Sequence, residues 1–272
     1  MRSIVLVALL AVALNAPPGR AQSPAPRRAF EVASVKRNVS GSDKAYLQAT
    51  PGRLVITNIP LKRLILVAYD LQDYQISGDP SWIASEYYDI QATGDGKASV
   101  REMEGPMLRA LLEERFKLTL YRETRQLPIY ELTIAKGGAK LQRAKEGGCT
   151  PYSVDSPPPS TPVPGEVQPH YCGFSRTGEG TGVSIPQLAT VLSRQYNLSG
   201  LRRPIIDRTG PTGTFDFHLE WAPDQAGLPQ SDDATGPSIF TAIQEQLGLK
   251  LESAKGPVEV LVIDHVERPS GN

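Results

Sequence analysis

One pattern occurs twice in this chain, and it constrains the fold more than any other feature. Residues 106–120 lie over residues 237–251 without a gap. Apolar side chains coincide at Leu108/Ile239, Leu111/Ala242, Leu112/Ile243 and Phe116/Leu247, spaced as one face of a helix. Two further matches, Leu118/Leu249 and Leu120/Leu251, alternate as a strand does. A proline, Pro106 or Pro237, opens each copy, where a missing N–H costs a helix nothing. The match extends to Pro128–Ile134 over Pro257–Ile263, Tyr88–Ala92 over Phe215–Leu219, and Leu61, Leu64 and Ala68 over Ile185, Leu188 and Leu192. Four matches in one order predict two copies of one architecture.

Each half then reads β-α-β-β-α-β-β, an α+β class in which small antiparallel sheets pack on helices. In the first half the expected elements are Leu54–Thr57, helix Leu61–Leu71, Tyr74–Ser77, Tyr87–Thr93, helix Glu104–Phe116, Lys117–Glu123 and Pro128–Ala135. In the second they are Gly182–Ser184, helix Pro186–Tyr196, Pro204–Asp207, Thr214–Trp221, helix Ser238–Leu247, Leu249–Ser253 and Val258–Val266. Strand Phe30–Val35 precedes the first unit. The units are expected over residues 30–145 and 181–268, joined by a Pro/Gly-rich linker over 146–180. Gly178 to Gly182 reads as the end of that linker.

The N-terminus carries an address. Arg2 precedes the uninterrupted apolar run Ile4–Leu14, too short to span a bilayer, and Gly19 and Ala21 are the small residues of a cleavage site. Residues 1–21 are therefore expected to be a signal peptide, which leaves a periplasmic or secreted protein with no stable membrane insertion. In an oxidising compartment Cys149 and Cys172, the only two cysteines, are expected to pair and close the proline-rich segment between them. With 29 basic against 29 acidic residues, no field draws nucleic acid or an anionic membrane.

Catalytic patterns fail one by one. His170, His218 and His265 lie too far apart in sequence for a paired-His zinc site, although His218 and His265 fall in strands able to approach one another. Gly182-Val-Ser-Ile-Pro186 departs from a nucleophile elbow at its last position and reads as a helix start with Ser184 as N-cap. Gly94-Asp-Gly-Lys-Ala-Ser99 lacks the leading glycine of a phosphate loop. Asp89 and Asp216 hold matching strand positions, where alternation points both outward. The expectation is no enzyme, no metal and no cofactor.

Aromatic side chains remain. Tyr74, Trp82 and Tyr87 gather in the first half and Trp221 in the second. A solvent-facing fraction of them would make a groove for a peptide or glycan. Asp207-Arg208-Thr-Gly-Pro-Thr-Gly213 is a turn whose functional role would be one rim of that site. The binding candidates are thus Trp82, Tyr87, Tyr74, Trp221, Asp207 and Arg208.

Phe30-Glu-Val-Ala-Ser-Val-Lys36, Tyr74-Gln-Ile-Ser-Gly78 with Trp82, Arg115-Phe-Lys-Leu118, Asp207-Arg-Thr-Gly210, Phe215-Asp-Phe217 and Ser238 to Val262 resemble a large exported family of acidobacterial "soil-associated" proteins. The resemblance spans nearly all of residues 30–270 and implies a domain of unknown function. Some of its members are joined to membrane metallopeptidase sensors, which implies sensing or binding outside the cytoplasm. Tyr121 stands where many of those relatives carry His, and Pro211 where Leu is common. The strand order is also similar to the short N-terminal domain of secretins and TonB-dependent receptors, which docks partner proteins. Together these imply a non-catalytic binding or protein-interaction module of the cell envelope, with an envelope protein, peptide or glycan as partner. A secreted hydrolase with a site between the halves, or a sensor of a small envelope ligand, are the competing expectations.

Overall fold

The computed structural model describes residues 28–151, 169–175, 177–194, 201–222 and 236–269. The signal peptide expected over 1–21, most of the proline-rich linker and the end of the helix placed at Tyr196 lie outside the described residues. The chain is mixed α+β. The strands are β1 (Val32–Asn38), β2 (Tyr46–Thr50), β3 (Arg53–Pro60), β4 (Ile76–Ser77), β5 (Tyr87–Thr93), β6 (Thr119–Ile134), β7 (Gln142–Arg143), β8 (Gly173–Phe174), β9 (Glu179–Ser184), β10 (Ile205–Asp207), β11 (Thr214–His218) and β12 (Leu249–His265). The helices are α1 (Leu61–Tyr69), α2 (Trp82–Ser85), α3 (Val100–Glu102), α4 (Leu108–Arg115), α5 (Ile185–Ser193) and α6 (Ile239–Leu247).

Three four-stranded sheets result. The first runs β1-β5-β3-β2 and the third β7-β11-β9-β8, so both follow the same sequence of neighbours when counted along the chain. Between them lies a sheet of order β10-β6-β12-β4. Its centre is the antiparallel pair β6 and β12, in register from Thr119–His265 to Ile134–Leu249. β4, from the first half, adds in parallel to β12; β10, from the second half, adds in parallel to β6.

This arrangement corrects the expectation that each half closes its own sheets. Lys117–Glu123 and Pro128–Ala135 are not two strands but parts of β6, and Leu249–Ser253 and Val258–Val266 likewise merge in β12. Pro128 and Pro257 suggested breaks. The Tyr130 N–H points to Pro204 O, and that of Ala135 to Gly248 O. By alternation along the paired strands, the missing N–H of each proline falls on the side away from the partner strand. Neither proline costs the ladder a hydrogen bond.

Apolar periodicity placed the cores. In the first lobe α1 and α4 cover β1, β3 and β5 through Leu61, Leu64, Ile65, Leu108, Leu112 and Phe116, and Ile263 of β12 joins them. In the second, Ile185, Leu188, Leu192, Ile239, Ile243 and Leu247 pack with Val183 and Phe215, and Leu132 of β6 joins them. Each core therefore borrows a residue from the other half's long strand. Burying a side chain such as Leu112 or Ile243, both fully inaccessible, contributes about 1.5–3 kcal/mol before ordering costs.

Helix starts held in one half and moved in the other. Ser184 caps α5, accepting from the Gln187 N–H while the Gln187 side chain accepts from Ser184 N–H, and Ser238 caps α6. The first-half helix begins earlier than Glu104. Ser99 and Glu102 form a reciprocal capping box at α3, and helical backbone continues through a π turn, Met103–Met107, into α4. Pro106 sits inside that π turn, whose wider hydrogen-bond spacing accommodates the donor it lacks. The expected strand Leu54–Thr57 lies within β3, but β2, which joins it in a hairpin turning at Pro51-Gly52, has no counterpart in the expected elements. Gly178–Gly182 is largely strand, and Gly173–Phe174 pairs within the stretch expected to be linker.

Candidate functional site

The aromatic residues singled out from sequence go to separate surroundings. Tyr74 packs on Ile129, Val258, Val260 and Val262 of the central sheet. Burial holds its phenol above the ordinary tyrosine value, against a hydrogen bond with Ser193 and the charge of Arg194. It serves the joint between the halves. Trp82 is half-buried against the first core, with the Arg268 guanidinium 4.7 Å from its ring centroid. Tyr87 is exposed, opposite Asn38 and Pro60 on the first sheet. Trp221 stacks on Phe174 at 6.2 Å, and Phe174 meets Phe217 at 5.7 Å.

Asp207 and Arg208 do local work. Asp207 Oδ1 accepts from Thr209 N–H at 2.8 Å and from its hydroxyl at 2.7 Å, an Asx turn. Arg208 Nε lies 3.3 Å from Glu131 Oε1. The six candidates therefore do not converge on one groove.

Arg268 ties the C-terminal segment to the first lobe. Its Nε and Nη2 donate to Glu86 at 3.0 and 2.8 Å, the Tyr88 hydroxyl donates to Glu86 Oε2 at 3.2 Å, and Arg37 stands 3.6 Å away. The hydrogen bond from Arg268 holds the Glu86 carboxyl below its ordinary range. Burial, and then Glu86, push the Tyr88 phenol up to about 12. A depressed carboxylate contributes stability that is present above the ordinary carboxylate range and lost as pH falls through its folded value. Arg268→Ala should therefore destabilise the protein at neutral pH, and the loss should shrink at an acid pH below the depressed Glu86 value, where the carboxyl is protonated in both proteins. Urea unfolding of the two proteins at both pH values reads this; an equal loss at both would refute the clasp.

Asp89 and Asp216 share a role that sequence alternation did not reveal. Asp89 Oδ1 accepts from the N–H of Asn58 at 2.9 Å, and Asp216 Oδ1 from that of Gly182 at 2.8 Å. Asn58 and Gly182 both have left-handed backbone, with φ of 53° and 59°. The register shifts beside each contact, between Ile56 and Ile59 in β3 and between Phe215 and Phe217 in β11. Each carboxylate pins an irregular strand.

The histidines stay apart. His218 Nδ1 is 2.8 Å from Glu179 Oε1 on the third sheet, and His265 Nε2 is 2.8 Å from Glu267 Oε1 at the end of the central one. Among the described residues no group of three His, Cys, Asp or Glu side chains is placed to hold a metal. Cys149 and Cys172 form the expected disulfide, which packs on Gly182: a Cβ there would stand 2.5 Å from Cys149 Sγ.

Two open depressions meet at Lys140. One, of about 450 Å³, is lined by the Ala135–Gly138 turn, Gln244, Glu245, Gly248 and Lys250. The other, of about 410 Å³, lies over the third sheet among Gln142, Glu179, Gly180, Thr181, Asp216, Phe217, His218 and Gln246. Of these, Asp216, Phe217 and His218 drew notice in the sequence, His218 as a metal ligand weighed and set aside, while Glu179, Gly180 and Thr181 were read only as the end of the linker. The legible signal was alternation: Asp216 and His218 stand on one side of β11, opposite Glu179 and Thr181 of β9.

Shared central sheet, covered cores and open outer faces define a two-lobed α+β protein of interlocked halves. Among the described residues no helix is long and apolar enough to cross a membrane. The chain belongs to the family described as "Protein of unknown function (DUF3738)", which it matches over residues 62–266. No curated protein and no solved structure matches it.

Proposed function

We propose that the chain is an exported, non-catalytic interaction module of the cell envelope that takes an extended partner segment along the edge of β2. The disulfide supports export, because such bonds persist in oxidising compartments. The observation that carries the docking reading is a difference between the lobes. In the third sheet, the outer side of the β8 segment is covered by the chain itself: Thr150 N–H donates to His170 O at 2.7 Å and Thr150 O accepts from Cys172 N–H at 3.0 Å. In the first sheet β2 occupies the corresponding place, and among the described residues its only neighbour is β3.

The backbone of β2 is suited to the task. The Gly94 N–H points to Gly52 O, which sets the alternation so that Thr50, Gln48 and Tyr46 face β3 while Leu47 and Ala49 direct their N–H and C=O outward. Edges are normally protected by charge, proline or brevity. β1 carries Lys36 and Arg37, and β4 and β10 are two and three residues long; β2, Tyr46-Leu-Gln-Ala-Thr50, has none of these guards. Leu47 and Ala49 lie half-buried against the cores, while Tyr46 and Gln48 are exposed, so a partner strand with apolar and polar residues in alternation fits.

Ala49→Pro removes one outward donor and leaves the β3 ladder intact. With a photo-cross-linker at Gln48 in native cells, the wild type should yield a discrete protein adduct, and Ala49→Pro should abolish it with an unchanged circular dichroism spectrum. Gln48→Lys beside a cross-linker at Tyr46 repeats the test without proline. Adducts that persist in both variants would reject the edge.

A further inference from the structure

Building on the β2 edge as a docking surface, on which this step rests, we infer that its occupant is β2 of a second copy of the chain. The two molecules associate about a two-fold axis through Gln48.

Any extended segment could meet some of the outward donors and acceptors of β2; β2 itself meets all of them. Leu47 and Ala49 carry the outward N–H and C=O groups and flank Gln48 symmetrically. An antiparallel copy centred on Gln48 sets each Leu47 opposite an Ala49, and each such pair exchanges both of its main-chain hydrogen bonds. This register also keeps every side chain on its own face. Leu47 and Ala49 of both copies fall on the core side, a large residue beside a small one, where Ala49 packs on Met103 and Met107. On the outer side Tyr46, 49% exposed, stands across from Thr50. The first sheets of two molecules join into one, with α1 and α4 of both on the same side. Such an interface is isologous and closed.

The residue on the axis decides whether a strand tolerates its own image, because a charge there would face itself. Gln48 is neutral and exposed, and its amide both donates and accepts, so the two side chains can bond one another. β1, at the opposite border of the same sheet, carries Lys36 and Arg37, and its own image would bring cations close together.

Charge matches at the ends as well. In this register Lys44, just ahead of β2, comes beside the Pro51-Gly52 turn of the other copy. Residues 94–96 lie against that turn: Gly94 N–H donates to Gly52 O at 2.9 Å, and a Cβ on Gly52 would stand 2.7 Å from Gly96 Cα. Asp95 is exposed there, with its Oδ1 held by the Lys97 N–H at 2.9 Å. Lys44 is exposed too, and among the described residues neither side chain has an ion-pair partner. The two-fold axis forms this Lys44–Asp95 pair twice. With 5 strand residues a side against the ~20–30 of a standard interface, the association is weak and reversible, roughly micromolar to millimolar.

Sedimentation equilibrium of the folded, oxidised protein from about 10 μM to 1 mM is the test, and the mean mass should climb toward that of two chains. Ala49→Pro takes one donor from each copy and should weaken association roughly tenfold or more. Lys44→Glu and Asp95→Lys should each weaken it about threefold or more. A chain carrying both charge substitutions should regain the wild-type constant, because the pair returns with its signs exchanged. Circular dichroism of every variant should match the wild type. A chain monomeric at the highest concentration, a dimer that Ala49→Pro leaves intact, or a double charge variant that associates no better than the single ones would overturn the inference. A Gln48 cross-link to a different protein, with the purified chain monomeric, removes the second copy and keeps the edge. An adduct of twice the chain's mass, lost in Ala49→Pro, supports both.

Discussion

Replacing Ile243 by Asp is expected to leave no native protein, and Leu112→Asp to do the same from the other lobe. Both side chains are fully buried on the inward faces of α6 and α4. Truncating such a residue costs about 2–5 kcal/mol, and an unpaired carboxylate in the cavity adds several more. The sum matches or exceeds the ~5–15 kcal/mol that holds a typical domain together. The loss should not stay in one lobe. Ile263 of β12 completes the first core and Leu132 of β6 the second, so neither sheet-and-helix pair survives unfolding of the other. Trp82 and Trp221 report on the two lobes separately. In single-tryptophan versions of either Asp variant, both emission spectra should resemble the unfolded chain. A native Trp82 spectrum in Ile243→Asp, or a native Trp221 spectrum in Leu112→Asp, would show that the halves stand alone.

Removing the disulfide has the next largest expected effect. The bond joins residues 23 apart in sequence, and in the chain-entropy description closing such a loop stabilises the fold by roughly 3 kcal/mol. The double variant Cys149→Ser, Cys172→Ser should therefore lower the urea midpoint by about 1 M. Dithiothreitol should have the same effect on the wild type and none on the double variant. The loss also has a local side. The disulfide rests on Gly182, whose left-handed backbone and N–H are held by Asp216, and it carries Thr150 to its place beside Cys172. Hydrogen exchange at Thr150 and Cys172 should rise in the double variant by more than in the rest of the sheet. A midpoint unchanged by both treatments would remove the bond from any account of stability.

Helix faces were legible because their signal is local. Leu108, Leu111, Leu112 and Phe116 repeat at helical spacing, and Ser184 and Ser238 announce helix starts by chemistry contained within four residues. Pro106 misled for the same reason: a proline near a helix usually begins one, and only the Ser99–Glu102 capping box, about two turns upstream, tells otherwise. The joining of strands into β6 and β12 was not legible. Whether a proline interrupts a strand depends on which side of the ladder its missing donor falls, and that depends on a partner more than a hundred residues away. Strand β2 escaped notice because Tyr46–Thr50 carries few branched apolar residues.

The lining of the depression over the third sheet was the least legible part. Large aromatics stand out in a sequence, yet Tyr74 and Trp82 have neighbours that use most of their surface, Ser193 and the central sheet in one case and Arg268 in the other. The groove is instead made of Gln142, Glu179, Thr181 and Gln246, ordinary side chains that become a set only when β7, β9, β11 and α6 come together. Asp89 and Asp216 matched in sequence and match in structure, but as clamps on irregular strands. Their correspondence recorded a backbone requirement.

The crossed attachment of β4 to β12 and β10 to β6 has a consequence for how such a molecule can be divided. Severed between Cys149 and Cys172, the two pieces would remain one folded body, each supplying the border strand that the other lacks. A gene encoding only one piece would make a product with an incomplete central layer, and the surface most nearly shaped to finish it is that of a second identical product, turned about a two-fold axis.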